Sequence, residues 1–378
     1  MSSTTNCFVY KIDKIEKHPN ADTLDLVQVA GWQCVCKQNQ FKIDDKVAFI
    51  EPGSVLTQEF SDKIGVTAYL KKKVNKDGDK VFVVGQTRLR GESSFGILLP
   101  ANECGLGDDL AEKLNIIKFE PPVKTHSFKS GNTESENPNI KPYTDINNLR
   151  KFPDLFDNGE EVIATVKIHG TNSRFGFVVD KNSDLIFKAG SRRLMRKDPY
   201  EKPVISWWKR LKIFLKLEKP PKPYVFNDDL YWYPYKIDGI RNLMYDLHQD
   251  GVDTATLYGE IFGKGIQIFD YGRAGIDYVA FDLMIDGKFV DFDVFVQYMN
   301  DYGIPYTPVV YRGEYNIDEI IKAAENKNTF GGNHIHEGVV VRPVIERTHS
   351  KVGRLIAKYC SDAYYLNKTV EQADTTDI

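Results

Sequence analysis

The stretch from Glu120 to Pro142 divides this chain. It opens on Pro121 and Pro122 and then, from Ser127 to Asn139, carries Gly, Ser, Asn and Pro among charged residues. Such a run has too little apolar side chain to join a core and reads as a linker or long surface loop. The residues on either side must therefore build separate cores, and 378 residues are enough for two. The boundaries this implies are a first domain over 1–115, a linker over 116–142 and a second domain over 143–368. The polar, acidic end, 369–378, reads as a disordered tail.

Both domains are strand-rich. In the first, Phe8-Val9-Tyr10, Asp25 to Val29, Lys46 to Ile50 and Lys80 to Val84 are short β-branched and aromatic runs. Turn clusters separate them: His18 to Asp22, Glu51-Pro52-Gly53 and Asn75 to Gly78. Several short strands within about a hundred residues fit a small closed barrel. In the second domain helical periodicity is set among strands at Ile237 to Gln249, Val290 to Tyr302 and Ile317 to Asn326. A further helical segment, Val204 to Leu217, precedes a proline-rich stretch from Glu218 to Pro223; its Lys209, Arg210 and Lys212 read as a solvated face.

Composition excludes several classes. No apolar run is long enough to span a bilayer, and Met1 to Asn6 is polar without a secretory pattern. The expected compartment is the cytosol (a host's cytosol for a viral protein) or the nucleus of a eukaryote. Five cysteines without regular spacing argue against a disulfide framework. No CxxC pair stands near the scattered histidines, which argues against a structural zinc site. The net charge of −3 is not that of a protein that coats nucleic acid, so any nucleic-acid contact must be locally basic.

The strongest chemical signal is Val162-Ile163-Ala164-Thr165-Val166-Lys167-Ile168-His169-Gly170-Thr171-Asn172. An apolar strand ends in a lysine and a glycine-bearing turn. Buried strands rarely hold lysine. Apolar walls and neighbouring cations there would disfavour the ammonium form and free the amine as a nucleophile. Taken alone, Lys167 reads rather as a strand-end lysine reaching to solvent.

Further strings follow in order: Ser191-Arg192 after the strand Leu185 to Lys188, Leu257 to Gly263 around Glu260, Tyr278 to Asp282, Glu337 to Arg342, and Leu355 to Tyr359. Each is weak by itself; six in sequence are not. Together they resemble motifs I, Ia, III, IIIa, IV and V of the covalent nucleotidyltransferase superfamily. His-Gly-Thr-Asn after the lysine resembles the RNA ligase 2-like group in particular, and the resemblance covers Tyr143 to Lys368. Motif V stands twenty residues before the end of the sequence, and the small β domain comes first. That order resembles the Naegleria-type RNA ligases, which carry an N-terminal OB domain.

The resemblance implies an α+β protein: an N-terminal OB-fold β-barrel, then a two-sheet nucleotidyltransferase domain of the ATP-grasp-like ligase type. It implies an ATP-dependent RNA ligase, joining RNA 3′-hydroxyl and 5′-phosphate ends in RNA repair through a lysyl-AMP and an adenylated RNA end. Lys167 is then the nucleophile. Val166, Ile168, Arg192, Glu260, Phe281, Glu337 and Lys358 join it in binding the nucleotide. Glu260 and Glu337 are the carboxylates for Mg²⁺ or Mn²⁺. Phe281 stacks on the purine, while Arg192 and Lys358 offset phosphate charge. Asn172 and Arg174 are candidates for the RNA phosphate; His169, Asp282 and Arg354 support the site. Motif V here has Ile356 where many ligases have lysine, and Arg354 is the candidate substitute.

Two other readings compete: a DNA ligase or GTP-using capping-type enzyme, and a non-catalytic RNA-binding adaptor. Domain order and His-Gly-Thr-Asn weigh against the first. The retained lysine and glutamates weigh against the second. The string Ile15 to Leu26, with His18-Pro19-Asn20-Ala21-Asp22, also resembles tRNA-binding OB domains. It fits an RNA-contacting barrel edge as well as a turn that merely builds the barrel. All the nucleotide-transfer strings follow Glu161, so residues 143 to 378 are expected to fold as a unit.

Overall fold

The computed structural model describes residues 7–75, 77–120, 133–152, 154–199, 229–326, 330–350 and 352–367. The segments expected as a helix over 204–217, a proline-rich stretch over 218–223 and a tail over 369–378 lie outside these residues.

Twelve strands build the first domain among the described residues. In chain order they are β1 (Val9–Lys11), β2 (Lys14–Lys17), β3 (Leu24–Val29), β4 (Trp32–Lys37), β5 (Lys46–Ile50), β6 (Ser54–Leu56), β7 (Lys71–Val74), β8 (Lys80–Val83), β9 (Gln86–Leu89), β10 (Glu92–Phe95), β11 (Ile97–Pro100) and β12 (Ile117–Lys118). The barrel is made from β1-β5-β11, β2-β3-β4 and β10-β9. Its core holds Val27, Val29, Trp32, Val47, Phe49, Phe95 and Leu98. A second sheet, ordered β12-β6-β8-β7, is appended to it.

His18 belongs to the barrel's construction. It is buried, its Nε2 lies 3.0 Å from Leu89 O, and Nδ1 accepts the Asn20 N–H at 3.1 Å. Asn20 in turn donates to Arg90 O. The string around His18 thus ties down the β9–β10 turn, and its imidazole faces no solvent.

The first domain runs past its expected end at 115, because Ile117 pairs with Val55 and Phe119 donates to Gly53 O. The far end of the expected linker belongs to the second domain: Thr133–Glu134 pairs with Met195–Arg196, and Ile140 is fully buried.

Two sheets form the second domain. The first contains β13 (Thr133–Glu134), β18 (Met195–Arg196), β17 (Leu185–Ser191), β16 (Thr171–Val179), β19 (Thr254–Gly263), β20 (Ile276–Ile285) and β21 (Lys288–Phe289), in that spatial order. The second contains β14 (Asn147–Asn148), β26 (Ala357–Cys360), β23 (Gly338–Pro343), β15 (Glu161–Val166) and β22 (Val309–Glu314). Short strands β24 (Thr348–His349) and β25 (Gly353–Arg354) pair separately.

The three expected helices form at Asp238–Gln249, Phe292–Asp301 and Ile317–Glu325. Asp238–Gln249 buries Ile240, Leu243, Met244 and Leu247, the stripe an amphipathic helix offers to a sheet. It and Phe292–Asp301 cover one face of the seven-stranded sheet through Phe175, Phe177, Leu257 and Leu283. Ile317–Glu325, capped by the Asn316 side chain, packs on the outer face of the five-stranded sheet against Val162, Ala164, Val339 and Val341. The opposite faces of the two sheets are left looking at each other.

The domains also share packing. The Arg150 guanidinium lies over the rings of Trp32, Phe95 and Tyr359, and its Nη2 meets Asp362 at 2.6 Å. Tyr365 stands 6.0 Å from Trp32 and 6.1 Å from Phe95. Part of the second domain's packing therefore rests on the barrel.

Candidate active site

The alternation of β15 places Ile163, Thr165 and then Lys167 toward the space between the sheets. Thr165, Val340 and Lys358 form one row across β15, β23 and β26, so Lys358 looks into the same space. Lys167 follows the last residue of β15 and is anchored by its N–H to Gly338 O at 2.9 Å. Its ammonium donates to Glu337 Oε1, and the pair is shielded, with 23% and 4% side-chain exposure.

This pairing reverses the charge expectation. Burial pulls the Lys167 amine down, but Glu337, with smaller contributions from Cys360 and Glu260, outweighs it and holds the ammonium above the ordinary lysine range. Burial likewise opposes charge on Glu337, while Lys167 and His169 hold it ionised below the usual carboxylate range. The neighbours of Lys167 are carboxylates, not cations.

Around this pair the turn is tightly fixed. Gly170 donates to Glu260 Oε1 at 3.1 Å. A Cβ on Gly170 would stand 2.4 Å from Ile261 O, so only glycine lets the turn approach β19 this closely. His169 is buried; its N–H donates to the Tyr271 hydroxyl at 2.6 Å, and Nδ1 lies 3.1 Å from the Tyr364 hydroxyl and 3.6 Å from Glu337 Oε2. Glu337 Oε2 and His169 Nε2 are buried without a hydrogen-bond partner. Buried acceptors normally have one, so Glu337 Oε2 keeps an acceptor that the protein's own hydrogen bonds do not use.

Phe281 arrives through a bulge. Tyr258 pairs with Asp282 but Gly259 with Ala280, which leaves Phe281 as the extra residue of β20. Bulges re-aim side chains. This one leaves Phe281 half-buried, edge-on to Tyr143 at 4.9 Å, with part of its ring uncovered. Asn172 pairs with Glu260 on the neighbouring strand, and its Oδ1 is buried and unpartnered. Arg192 ends β17 in an exposed ion pair with Asp145. Val166 and Ile168 turn into an apolar cluster with Phe262, Phe269, Tyr271 and Tyr364, and the Val166 N–H is taken by Pro308 O. They support the nucleophile from beneath.

Two expected site residues are committed elsewhere. Arg174 shares a face with Asn172, but it is fully buried: Nε donates to Ser191 O, Nη1 to Ile140 O, and Nη2 to both Glu136 oxygens. It clips residues 136–140 to the sheet and offers nothing to an RNA phosphate. Arg354 pairs with Asp282 at 2.7 Å and with both Glu346 oxygens, and lies 3.4 Å from the Phe289 ring centre. It cannot also replace a motif V lysine. Asp282 is fully buried between Arg354, Arg342 and the Tyr143 hydroxyl, which accounts for its lowered carboxyl pKa after the opposing cost of burial. It ties the sheets together. Tyr271 and Tyr364, which no motif string marks, complete the setting of His169.

Among the described residues no three His, Cys, Asp or Glu side chains stand close enough to hold a metal alone. The site does fit a hard cation that completes its shell with phosphate oxygens and water: it offers carboxylates, one with a buried oxygen outside any hydrogen bond, and burial pushes the nearby Cys360 thiol up, away from the thiolate form.

Residues 160–360 match the RNA ligase family, and residues 7–101 match a family of OB-fold domains. The phenylalanine–tRNA ligase beta subunit of Neisseria meningitidis serogroup B is 32% identical over 123 residues, 31% of this chain and 13% of that protein. Its Neisseria gonorrhoeae counterpart is 30% identical over 146 residues, 37% of this chain and 14% of that protein. The chain thus spans about a seventh or less of the length of these relatives. Among solved structures, an apo mutant of Naegleria gruberi RNA ligase superposes with a TM-score of 0.69 at 20% identity, covering 98% of each chain. Mutants of the same ligase solved with ATP and Mn and with AMP and Mn each give a TM-score of 0.68, at 20% and 21% identity, covering 98% of this chain and 99% of that one. No helix among the described residues is long and apolar enough to cross a membrane. With the matched segment covering more than half of the sequence and containing Lys167, Glu260, Glu337 and Lys358, the chain belongs to the RNA ligase family.

Proposed function

We propose that the protein is an ATP-dependent RNA ligase acting on broken RNA through Lys167. The observation that carries this reading is the pairing of the Lys167 amine with Glu337 at the mouth of the inter-sheet space, with Glu260 fixed under the adjoining turn. A lysine there serves no packing purpose that methionine would not serve better.

The reaction runs in three displacements. The Lys167 ammonium must first give up a proton; the neutral amine then forms an N–P bond to the α-phosphorus of ATP, and pyrophosphate leaves with the bonding pair. A 5′-phosphate oxygen of RNA next attacks that phosphorus, and the Lys167 nitrogen leaves and is reprotonated. Finally a 3′-hydroxyl attacks the RNA 5′-phosphorus, losing its proton, and AMP departs.

Each side chain has a task in this scheme. Phe281 offers its uncovered face to the adenine. Lys358, for which no carboxylate partner stands among the described residues, neutralises phosphate charge. Arg192 exchanges its solvent-open pair with Asp145 for a phosphate at little cost. Asn172 holds the incoming RNA phosphate. His169, set by Tyr271 and Tyr364, keeps Glu337 on the amine. Glu260 and Glu337 would hold Mg²⁺ or Mn²⁺, which supplies positive charge against the phosphates in the displacement.

The test is incubation with radiolabelled ATP, GTP or CTP and a divalent cation, then denaturation. Label on the chain from ATP alone, chased by a 5′-phosphorylated RNA nick, supports the reading. Absence of label from every nucleotide overturns it, and label from GTP alone points to a capping-type enzyme.

A further inference from the structure

The appended sheet of the first domain, β12-β6-β8-β7, has an unusual charge. Residues 71–83 contain five lysines and two aspartates in a chain whose net charge is −3. Three of those lysines, Lys71 to Lys73, are consecutive on β7, an edge strand, and Lys80 begins β8.

The register sorts these residues. Lys72 stands opposite Phe82, and Val74 opposite Lys80, so these four project from one face of the hairpin. Lys72 and Lys80 are exposed, Val74 is 44% exposed, and Phe82 is half-buried. The Lys72 ammonium lies 5.7 Å from the Phe82 ring centre. From Lys80 and Phe82 a shallow groove continues past Gln58 and Asn115 to Ile117. Lysines on an edge strand often serve only to block edge-to-edge pairing. That role accounts for the lysines but not for the Phe82 ring beside Lys72 on the face that also carries Lys80, nor for the groove that Lys80 and Phe82 line with Gln58 and Asn115.

We propose that this face grips a single-stranded segment of the RNA substrate, with Lys72 and Lys80 on successive phosphates and a base stacked on Phe82. Cations along a backbone track, with an aromatic platform between them, are the pattern by which single strands are held without sequence readout. The net negative charge of the chain makes such a local site necessary for an RNA enzyme. The proposal rests on the RNA ligase reading, and its residues are none of those assigned to the nucleotide.

Its test uses the full chain, a fluorescent single-stranded RNA oligonucleotide and a salt titration, with self-adenylylation measured in parallel. The variant Lys72→Glu/Lys80→Glu is expected to bind roughly tenfold or more weakly near 0.15 M salt, with the log–log salt slope smaller by about 0.7 for each lost contact. Phe82→Ala is expected to weaken binding at least about fivefold with the slope unchanged. Both should self-adenylylate like the wild type. Wild-type affinity and slope in the double variant overturn the proposal, as does new self-association with RNA affinity intact, which would make the lysines edge guards. A wild-type chain that takes no AMP but binds RNA at this face would overturn the ligase reading and leave the surface standing.

Discussion

Two buried charge clusters stand between the same pair of sheets, and they are finished differently. Around Asp282, two carboxylates meet two guanidiniums. Asp282 engages Arg342, Arg354 and the Tyr143 hydroxyl, Glu346 takes the other side of Arg354, and the Arg342 guanidinium lies over the Phe292 ring. Around Lys167 one carboxylate oxygen is used and the other is left open, with His169 Nε2 also unpartnered. In the first cluster the carboxylates are engaged, and the atoms without a hydrogen-bond partner are donors, Arg342 Nη1 and Nη2, of a guanidinium that still lies in ion pairs with Asp282 and Glu346; such a cluster holds structure in place. In the second the carboxylate atom left over is an acceptor, Glu337 Oε2, which suits a donor or a cation brought by a substrate.

The sharpest way to break this contrast is at Lys167. Lys167→Ala should lose self-adenylylation entirely; because it also leaves the buried Glu337 without its main counter-charge, some loss of thermal stability is expected with it, and label is compared per folded molecule. Lys167→Arg should fail as well, because a guanidinium stays protonated. Residual label on either protein would remove Lys167 from the chemistry.

Asp282 should behave in the opposite way. Asp282→Asn leaves two buried guanidiniums short of a counter-charge, so denaturant melts should show a loss of about 3–5 kcal/mol, the range for breaking a buried ion pair. AMP transfer per folded molecule should change little. A stable Asp282→Asn protein that cannot take AMP would mean that this cluster belongs to the active site after all.

Glu260→Ala and Glu337→Gln come next in size. Each should lower the adenylylation rate by about 10²-fold, the scale of a lost electrostatic element. A wild-type rate in either variant would strike that carboxylate from the cation site.

The smallest effect tests the charge on the amine itself. Glu337 raises the lysine pKa, so the free-amine fraction of wild-type Lys167 is low near neutrality and grows as pH rises. Glu337→Gln removes the main raising influence and shifts that growth to lower pH. In mild acetylation followed by mass spectrometry, Lys167 of the variant should therefore react several-fold faster than wild type at the same pH, about neutral. Equal reactivity would show that Glu337 does not control the proton on Lys167.

The helices and sheets were legible where the pattern was periodic: Leu243 and Leu247 mark one stripe, Val339 and Val341 one strand face. Lys167, Glu260 and Glu337 were legible because their strings keep order. Arg174 and Arg354 were misplaced for a simple reason. An arginine beside a motif looks the same in sequence whether it faces substrate or a carboxylate from a distant segment, here Glu136 and Asp282. The charge around Lys167 was misjudged likewise, since Glu337 comes from just before β23, far off in sequence. Tyr271 and Tyr364 sit in segments with no string to flag them. The linker was drawn too long because Ile140 is buried against Val178 and Met195, far off in sequence, and its carbonyl is held by Arg174.

The central claim is that one amine, Lys167, carries AMP. The direct measurement is tryptic mass spectrometry of the full-length wild-type chain after incubation with ATP and Mn²⁺. The account predicts a single adenylated peptide with the phosphoramidate on Lys167, discharged when 5′-phosphorylated nicked RNA is added. AMP found on any other lysine, or no adenylated peptide in a folded, cation-loaded protein, would contradict it.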